Sequence, residues 1–248
     1  MGCPAPAQVA VVTRSTPIAS IPMIRKLILP ALAFATVLIT SSCSDMPSGG
    51  SGLAAYNAYD RPAKMPTNRS AVRVKVSLSK QMAYVMEGSQ PLLVMPIAVG
   101  TPKTPTPTGS FSIYNKTHQH RAETHGFGYS GSQAKRCFLA DRPAGWSFKG
   151  TPMPYWCEFK ANYGFHTGWL KPYPCTHGCI RMHHNLAPKF FQIVGSGTPV
   201  NISNSQAEDA TLGANIPRPP DSGPLPDFAP TFYIGDQYFT YHKPVHFD

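Results

Sequence analysis

A mainly β domain, a β-sandwich of mixed, mostly antiparallel sheets with one or two short helices, is what the sequence predicts between residues 71 and 203. Three observations carry that prediction. Val72, Val74, Val76 and Leu78 alternate with Arg73, Lys75, Ser77 and Ser79, the two-residue period of a half-buried strand. Short apolar runs bounded by Gly, Pro and Ser follow at strand length. Helical spacing is confined to Leu186–Val194, where Leu186, Phe190 and Ile193/Val194 share a face.

Taken in order, residues 1–22 show no periodicity, and Met23, a possible true start, opens Met23-Ile24-Arg25-Lys26 before the apolar run Leu27–Ile39, the pattern of an export signal. That run is too short to span a bilayer, and Pro30 interrupts it. Ile39-Thr40-Ser41-Ser42-Cys43 resembles a bacterial lipoprotein box, which makes Cys43 the expected lipidated first residue of the mature chain; Thr40 departs from the usual aliphatic residue, and ordinary signal cleavage is the alternative. Residues 44–70, with Ser48-Gly49-Gly50-Ser51-Gly52, Pro62 and Pro66, read as a flexible tether.

Inside the domain, strands are expected over Val72–Ser79, Gln81–Glu87 and Leu92–Val99, with a hairpin turn at Gly88-Ser89-Gln90. Pro96 places the third of these at an edge or a bulge. Thr101–Gly109, with Pro102, Pro105 and Pro107, is a stiff loop feeding a strand over Phe111–Tyr114. His118, His120 and His125 read as solvated loop residues. Strands resume at Met153–Phe159 and Gly164–His166, and Pro199–Ser203 closes the domain. Residues 204–248 form a Pro-rich extension, in which Thr231–Asp248 gathers Phe232, Tyr233, Tyr238, Phe239 and Tyr241 around Gly235-Asp236 as a small hairpin that pads the domain or caps a groove.

Chemistry concentrates in Phe165–Met182. Cys179 is the natural nucleophile, and a thiol with an ordinary pKa of about 8.5 needs a neighbouring base or an electropositive backbone to act at neutral pH. His166 and His177 are the two candidate bases, and the amides of Gly178 and Cys179 could meet a developing oxyanion. Cys175, Cys179, His177, His183 and His184 could alternatively be zinc ligands, but their spacing matches no paired ligand pattern.

Thr176-His177-Gly178-Cys179-Ile180-Arg181-Met182, preceded by His166-Thr167-Gly168, resembles the signature of the L,D-transpeptidase catalytic (YkuD) domain family. Met153-Pro154-Tyr155-Trp156 and Thr106-Pro107-Thr108-Gly109-Ser110-Phe111 are similar to two upstream elements of that family, so the resemblance covers residues 71–203. It implies a β-rich fold, Cys179 as the acylated nucleophile and His166 as general base, with the Thr167 carbonyl orienting the imidazole. It further implies that His177 and Gly178 line the oxyanion side and that Arg181, Met153, Tyr155 and Thr176 contact substrate, Arg181 through a carboxylate or by bracing the loop. The loop from His166 to Cys179 is short, as in one subgroup, and Cys175 stands where that subgroup has a small residue, so a reversible Cys175–Cys179 bond is one hypothesis. Cys137 and Cys157 could pair after export, or Cys157 could be a free packing residue.

The activity implied is acyl transfer on peptidoglycan stem peptides in the bacterial cell envelope, without metal or organic cofactor, by a monomer anchored through Cys43 at the membrane. Carbapenems are expected to acylate Cys179. Hydrolysis of the same acyl-enzyme would make the chain an L,D-carboxypeptidase, and a non-catalytic wall-binding lipoprotein is the rival from another class. The formal charge of +10 suits an acidic polymer, whereas no basic run interleaved with aromatics points to nucleic acid.

Overall fold

A computed structural model describes residues 52–221 and 229–240. Chain contacts divide the protein into residues 1–45 and 46–248, and every described residue belongs to the second unit. The expected leader, the start at Met23 and lipidation at Cys43 therefore lie outside the described residues. No helix among the described residues is long and apolar enough to cross a membrane.

The strands are β1 (Val72–Ser77), β2 (Met82–Glu87), β3 (Gln90–Ala98), β4 (Gly109–Ser112), β5 (Asn115–Ser130), β6 (Gln133–Phe138), β7 (Ser147–Lys160), β8 (Tyr163–Thr167), β9 (Ile180–Met182) and β10 (Pro199–Ser203). Three helices accompany them, α1 (Gly52–Ala58), α2 (Ala187–Ile193) and α3 (Pro230–Ile234). Ladders join all ten strands in the order β4-β10-β1-β2-β3-β9-β8-β7-β5-β6. Only β1/β10 and β8/β9 run parallel. The sheet closes over itself, because Phe111 on β4 meets Phe159 on β7 with ring centroids 5.3 Å apart. The mainly β architecture is thus present, with its two layers joined through β3 and β9.

The core explains the alternation in β1. Val72, Val74 and Val76 are buried with Val85, Leu93, Ile97, Phe165, Ile180, Val200 and Ile202, and α2 adds Ala187, Phe190 and Ile193 from one face. Each such aliphatic or aromatic side chain contributes about 1.5–3 kcal/mol when fully buried. Phe190 lies against Phe165 with ring centroids 4.7 Å apart, which fixes α2 behind β8.

Four expectations change. Pro96 sits in a central strand, since β3 is flanked by β2 and β9. Its missing N–H costs no ladder bond, because β9 pairs only with Ile97 and Ala98 while Ile97 N–H donates to Gln81 O at 2.9 Å on the β2 side. The region holding His118, His120 and His125 is the sixteen-residue strand β5, not loop. Its pairing with β7 shifts between Arg121 and Gly126, and a Cβ at Gly126 or Gly150 would run into the backbone of Lys149 or Ala122. Glycine there permits the two strands to close around the irregularity.

The segment read as a tether is docked from residue 52 onward: Tyr56 in α1 has no exposed surface, and Lys189 bonds Asp60 at 2.7 Å. Finally, the described part of the aromatic C-terminal segment is helical rather than a hairpin. Tyr233, Tyr238 and Phe239 bury themselves with Phe127, and Arg121 donates to Tyr233 O (2.8 Å) and Gly235 O (3.0 Å), which favours compact turns over an exposed strand pair.

Candidate active site

β8 and β9 build the site by register. Phe165 opposes Ile180 and both are fully buried, so the next pair, His166 and Arg181, projects from the other face of the sheet. That face lines a cavity of about 890 Å³. Cys179, one residue before β9 and two before Arg181, lines the same cavity.

The turn that delivers Cys179 is held from within and from below. Thr176 Oγ1 donates to Cys179 O at 2.6 Å and accepts from Gly178 N–H at 3.1 Å. Thr106 Oγ1 donates to Gly178 O at 2.9 Å and accepts Gly100 N–H at 2.9 Å, so the Pro-rich loop after β3 supports the nucleophile turn. Gly178 has φ 108°, and a Cβ there would lie 2.5 Å from Tyr163 Cε1. Only glycine fits that backbone.

Of the two amides expected to face an oxyanion, that of Gly178 donates to Thr176 Oγ1. Thr176 is 2 % exposed and serves the turn from inside.

Electrostatics separates the two principal groups. His166 Nδ1–H donates to Thr167 O at 2.8 Å, which leaves Nε2 as the basic nitrogen. Burial, reinforced by the Arg181 charge, pushes the imidazole down to about 3, the Thr167 bond acting against both. Burial pushes the Cys179 thiol up, opposed by a backbone bond from Gly164 and by Arg181, while Glu158 adds to the rise. Its Sγ lies 3.6 Å from Asn162 O. A neutral imidazole and a neutral thiol are therefore the resting forms at neutral pH, not an ion pair. The rate of Cys179 carboxamidomethylation by iodoacetamide should consequently climb with pH through 8 and 9 without an acidic plateau; a plateau below pH 6 would establish an ion pair instead.

The remaining expected residues divide. Met153, Thr167, Thr176, His177 and Arg181 line the cavity. His177 is exposed and stacks on His125 of β5, centroids 5.2 Å apart. Arg181 Nη1 is 3.9 Å from Cys175 Sγ. Tyr155 does not join them. Its φ of 58° breaks the strand alternation, and its ring packs on Phe191 (5.7 Å) and His118 (4.5 Å), on the core side. Two lining residues outside the expected set are Trp156 and His120, stacked 4.3 Å apart, with Trp156 6.1 Å from His166. The aromatic position after Met153-Pro154-Tyr155 was the available signal for Trp156; His120 had none.

Cys137, Cys157, Cys175 and Cys179 are all free thiols. The zinc alternative fails at His183, whose Nε2–H donates to Tyr56 O (2.8 Å) while Nδ1 accepts Asn185 N–H (3.2 Å), leaving no nitrogen for a metal. No group of three or more residues suited to a metal occurs among the described residues.

The family model described as L,D-transpeptidase catalytic domain matches residues 71–202. Similar solved structures include an L,D-transpeptidase from Mycobacterium smegmatis (17 % identity, 54 % of this chain and 58 % of that one, TM-score 0.42). An L,D-transpeptidase from Stackebrandtia nassauensis matches at 17 % identity over 66 % of this chain and 73 % of that one, TM-score 0.42. L,D-transpeptidase 1 from Mycobacterium tuberculosis matches at 21 % identity over 54 % and 61 %, TM-score 0.38. The match thus spans 58 % of the length of the first of these relatives. No curated protein sequence matches the chain.

Proposed function

The chain belongs to the L,D-transpeptidase catalytic domain family, and from that premise we propose that it is a cysteine-dependent L,D-transpeptidase acting on peptidoglycan stem peptides. The observation that carries the reading is one cavity lined by a thiol from the turn before β9 and a neutral, oriented imidazole from β8, the parallel neighbour of β9.

In the proposed reaction Cys179 Sγ attacks the carbonyl of the third, diamino-acid residue of a tetrapeptide stem. His166 Nε2 takes the thiol proton as the bond forms, because the separated resting pKa values disfavour transfer beforehand. The Cys179 amide meets the tetrahedral oxyanion. The imidazolium then protonates the nitrogen of the departing terminal D-alanine, leaving a thioester. A side-chain amine of a second stem attacks the thioester, its proton passes to His166, and the thiol returns as the cross-link forms.

Arg181 takes a substrate carboxylate in this reading. It lines the cavity two residues after Cys179, so its positive charge can meet the carboxylate of the residue that leaves. The charge of +10 draws an anionic polymer towards the protein. The site of action is the cell envelope, with Cys43 as a lipid anchor, and carbapenems acylate Cys179.

Incubation with a disaccharide tetrapeptide, read by mass, tests the proposal. A cross-linked dimer is the expected product. A stem shortened by one residue would make the protein an L,D-carboxypeptidase, and an unchanged substrate would favour a wall-binding protein without catalysis.

A further inference from the structure

Residues that precede the matched domain pack against the segment that leads to Cys179. Tyr56 lies in α1, fifteen residues before the family match begins, and is fully buried. Its backbone carbonyl accepts the Nε2–H of His183, the residue that follows β9. Its phenol oxygen accepts Leu170 N–H at 3.0 Å, in the segment between β8 and Cys179. The ring rests against Trp169 and His183, centroids 4.3 and 4.6 Å away, and Cys175 packs on the same cluster. Neighbouring bonds keep α1 in place: Asn185 Nδ2 donates to the carbonyls of Asn57 (3.0 Å) and Tyr59 (2.8 Å). Burial raises the phenol well above its ordinary pKa, with Leu170 N–H and the Arg181 charge acting against the rise, so the hydroxyl is neutral and lies within the field of Arg181.

We propose that Tyr56 is a positioning residue for the Cys179 loop: it fastens Leu170 on the entering side and His183 on the leaving side, so that Cys179 and Arg181 between them keep their places relative to His166. Without the phenol oxygen, Leu170 N–H would be buried and unpartnered, a state the loop escapes only by moving. The segment carries Pro172 and Pro174, so a shift at Leu170 is transmitted towards the nucleophile turn instead of being absorbed locally. For turnover this inference rests on the transpeptidase reading; for loop geometry it does not.

The test uses the full chain as Tyr56→Phe and Tyr56→Leu. Tyr56→Phe keeps the ring and the carbonyl to His183 and loses only the phenol oxygen. A fall in kcat of about tenfold with KM unchanged is expected, the scale of one buried hydrogen bond. The second readout is the pH profile of Cys179 carboxamidomethylation, located by peptide mass. It should move to higher pH in Tyr56→Leu as the Arg181 charge leaves the thiol, and by less in Tyr56→Phe. Should Tyr56→Leu fail to fold, the Tyr56→Phe profile decides alone. Profiles superimposable on the wild type overturn the proposal whatever happens to turnover. A wild type that processes no stem peptide, yet shows the shifted profiles in the variants, overturns the transpeptidase reading and upholds this one.

Discussion

Cys179→Ala should lower turnover of a tetrapeptide stem by about ten-thousand-fold or more, to the level of the uncatalysed reaction, because no other group can form the thioester. Cys137 and Cys175 are the other thiols lining the cavity, but Cys137 belongs to β6 and Cys175 packs with Tyr56, Trp169 and Leu170, neither in the turn that leads into β9. The substitution should leave the fold intact. Cys179 is half-buried and its sulfur meets only backbone groups, Asn162 O and the Gly164 amide, so a stability change of at most about 1 kcal/mol is expected. Steady-state turnover together with a melting curve checks both halves. Loss of turnover with a large drop in melting temperature would mean that Cys179 is a packing residue and that the site has been misassigned.

His166→Gln should reduce kcat by about a hundredfold to ten-thousandfold, the range that a positioned general acid–base contributes. Glutamine retains a donor for the Thr167 carbonyl but offers no nitrogen that can take the thiol proton. The informative contrast is with simple alkylation. Since the resting thiol is protonated and owes its elevated pKa to burial, carboxamidomethylation of Cys179 at pH 9 should differ from wild type by no more than a few-fold in His166→Gln. Equal losses in both assays would mean that His166 holds the loop in shape instead of moving a proton. The pH dependence follows from the same two groups. His166 in the free protein is neutral above about 3 and the buried thiol stays protonated at neutral pH, so with the proton moving to His166 as the bond forms kcat/KM should be flat between pH 5 and 8; a rate that climbs steadily over that range would point to attack by free thiolate.

The residues that act in the proposed reaction were legible because they are nearly contiguous. His166 to Arg181 occupy two short strands and the turn between them, so their order in sequence already implies that they meet. The strands whose inward residues are apolar were equally plain: β1 shows its alternation, and β10 has the expected bounds. What escaped detection is held together by distant partners. β5 is polar along most of its length and is a strand because β7 and β6 pair with it on both sides, which no local period records. His120 entered the cavity wall by the same route. Residues 52–70 have the composition of a linker, but the Tyr56 side chain, the carbonyls of Tyr56, Asn57 and Tyr59, and Asp60 dock their first half. The C-terminal aromatics suggested a hairpin, and the Arg121 bonds to Tyr233 and Gly235 carbonyls select helical turns over it.

The central claim is that an acyl group passes through one sulfur. Intact-protein mass spectrometry after brief exposure to a carbapenem, followed by peptide mapping, tests it most directly. A single adduct per chain, confined to the peptide that carries Cys179 and missing from Cys179→Ala, is the predicted result. An adduct on Cys175 or elsewhere, or stem-peptide turnover that survives in Cys179→Ala, would contradict the account.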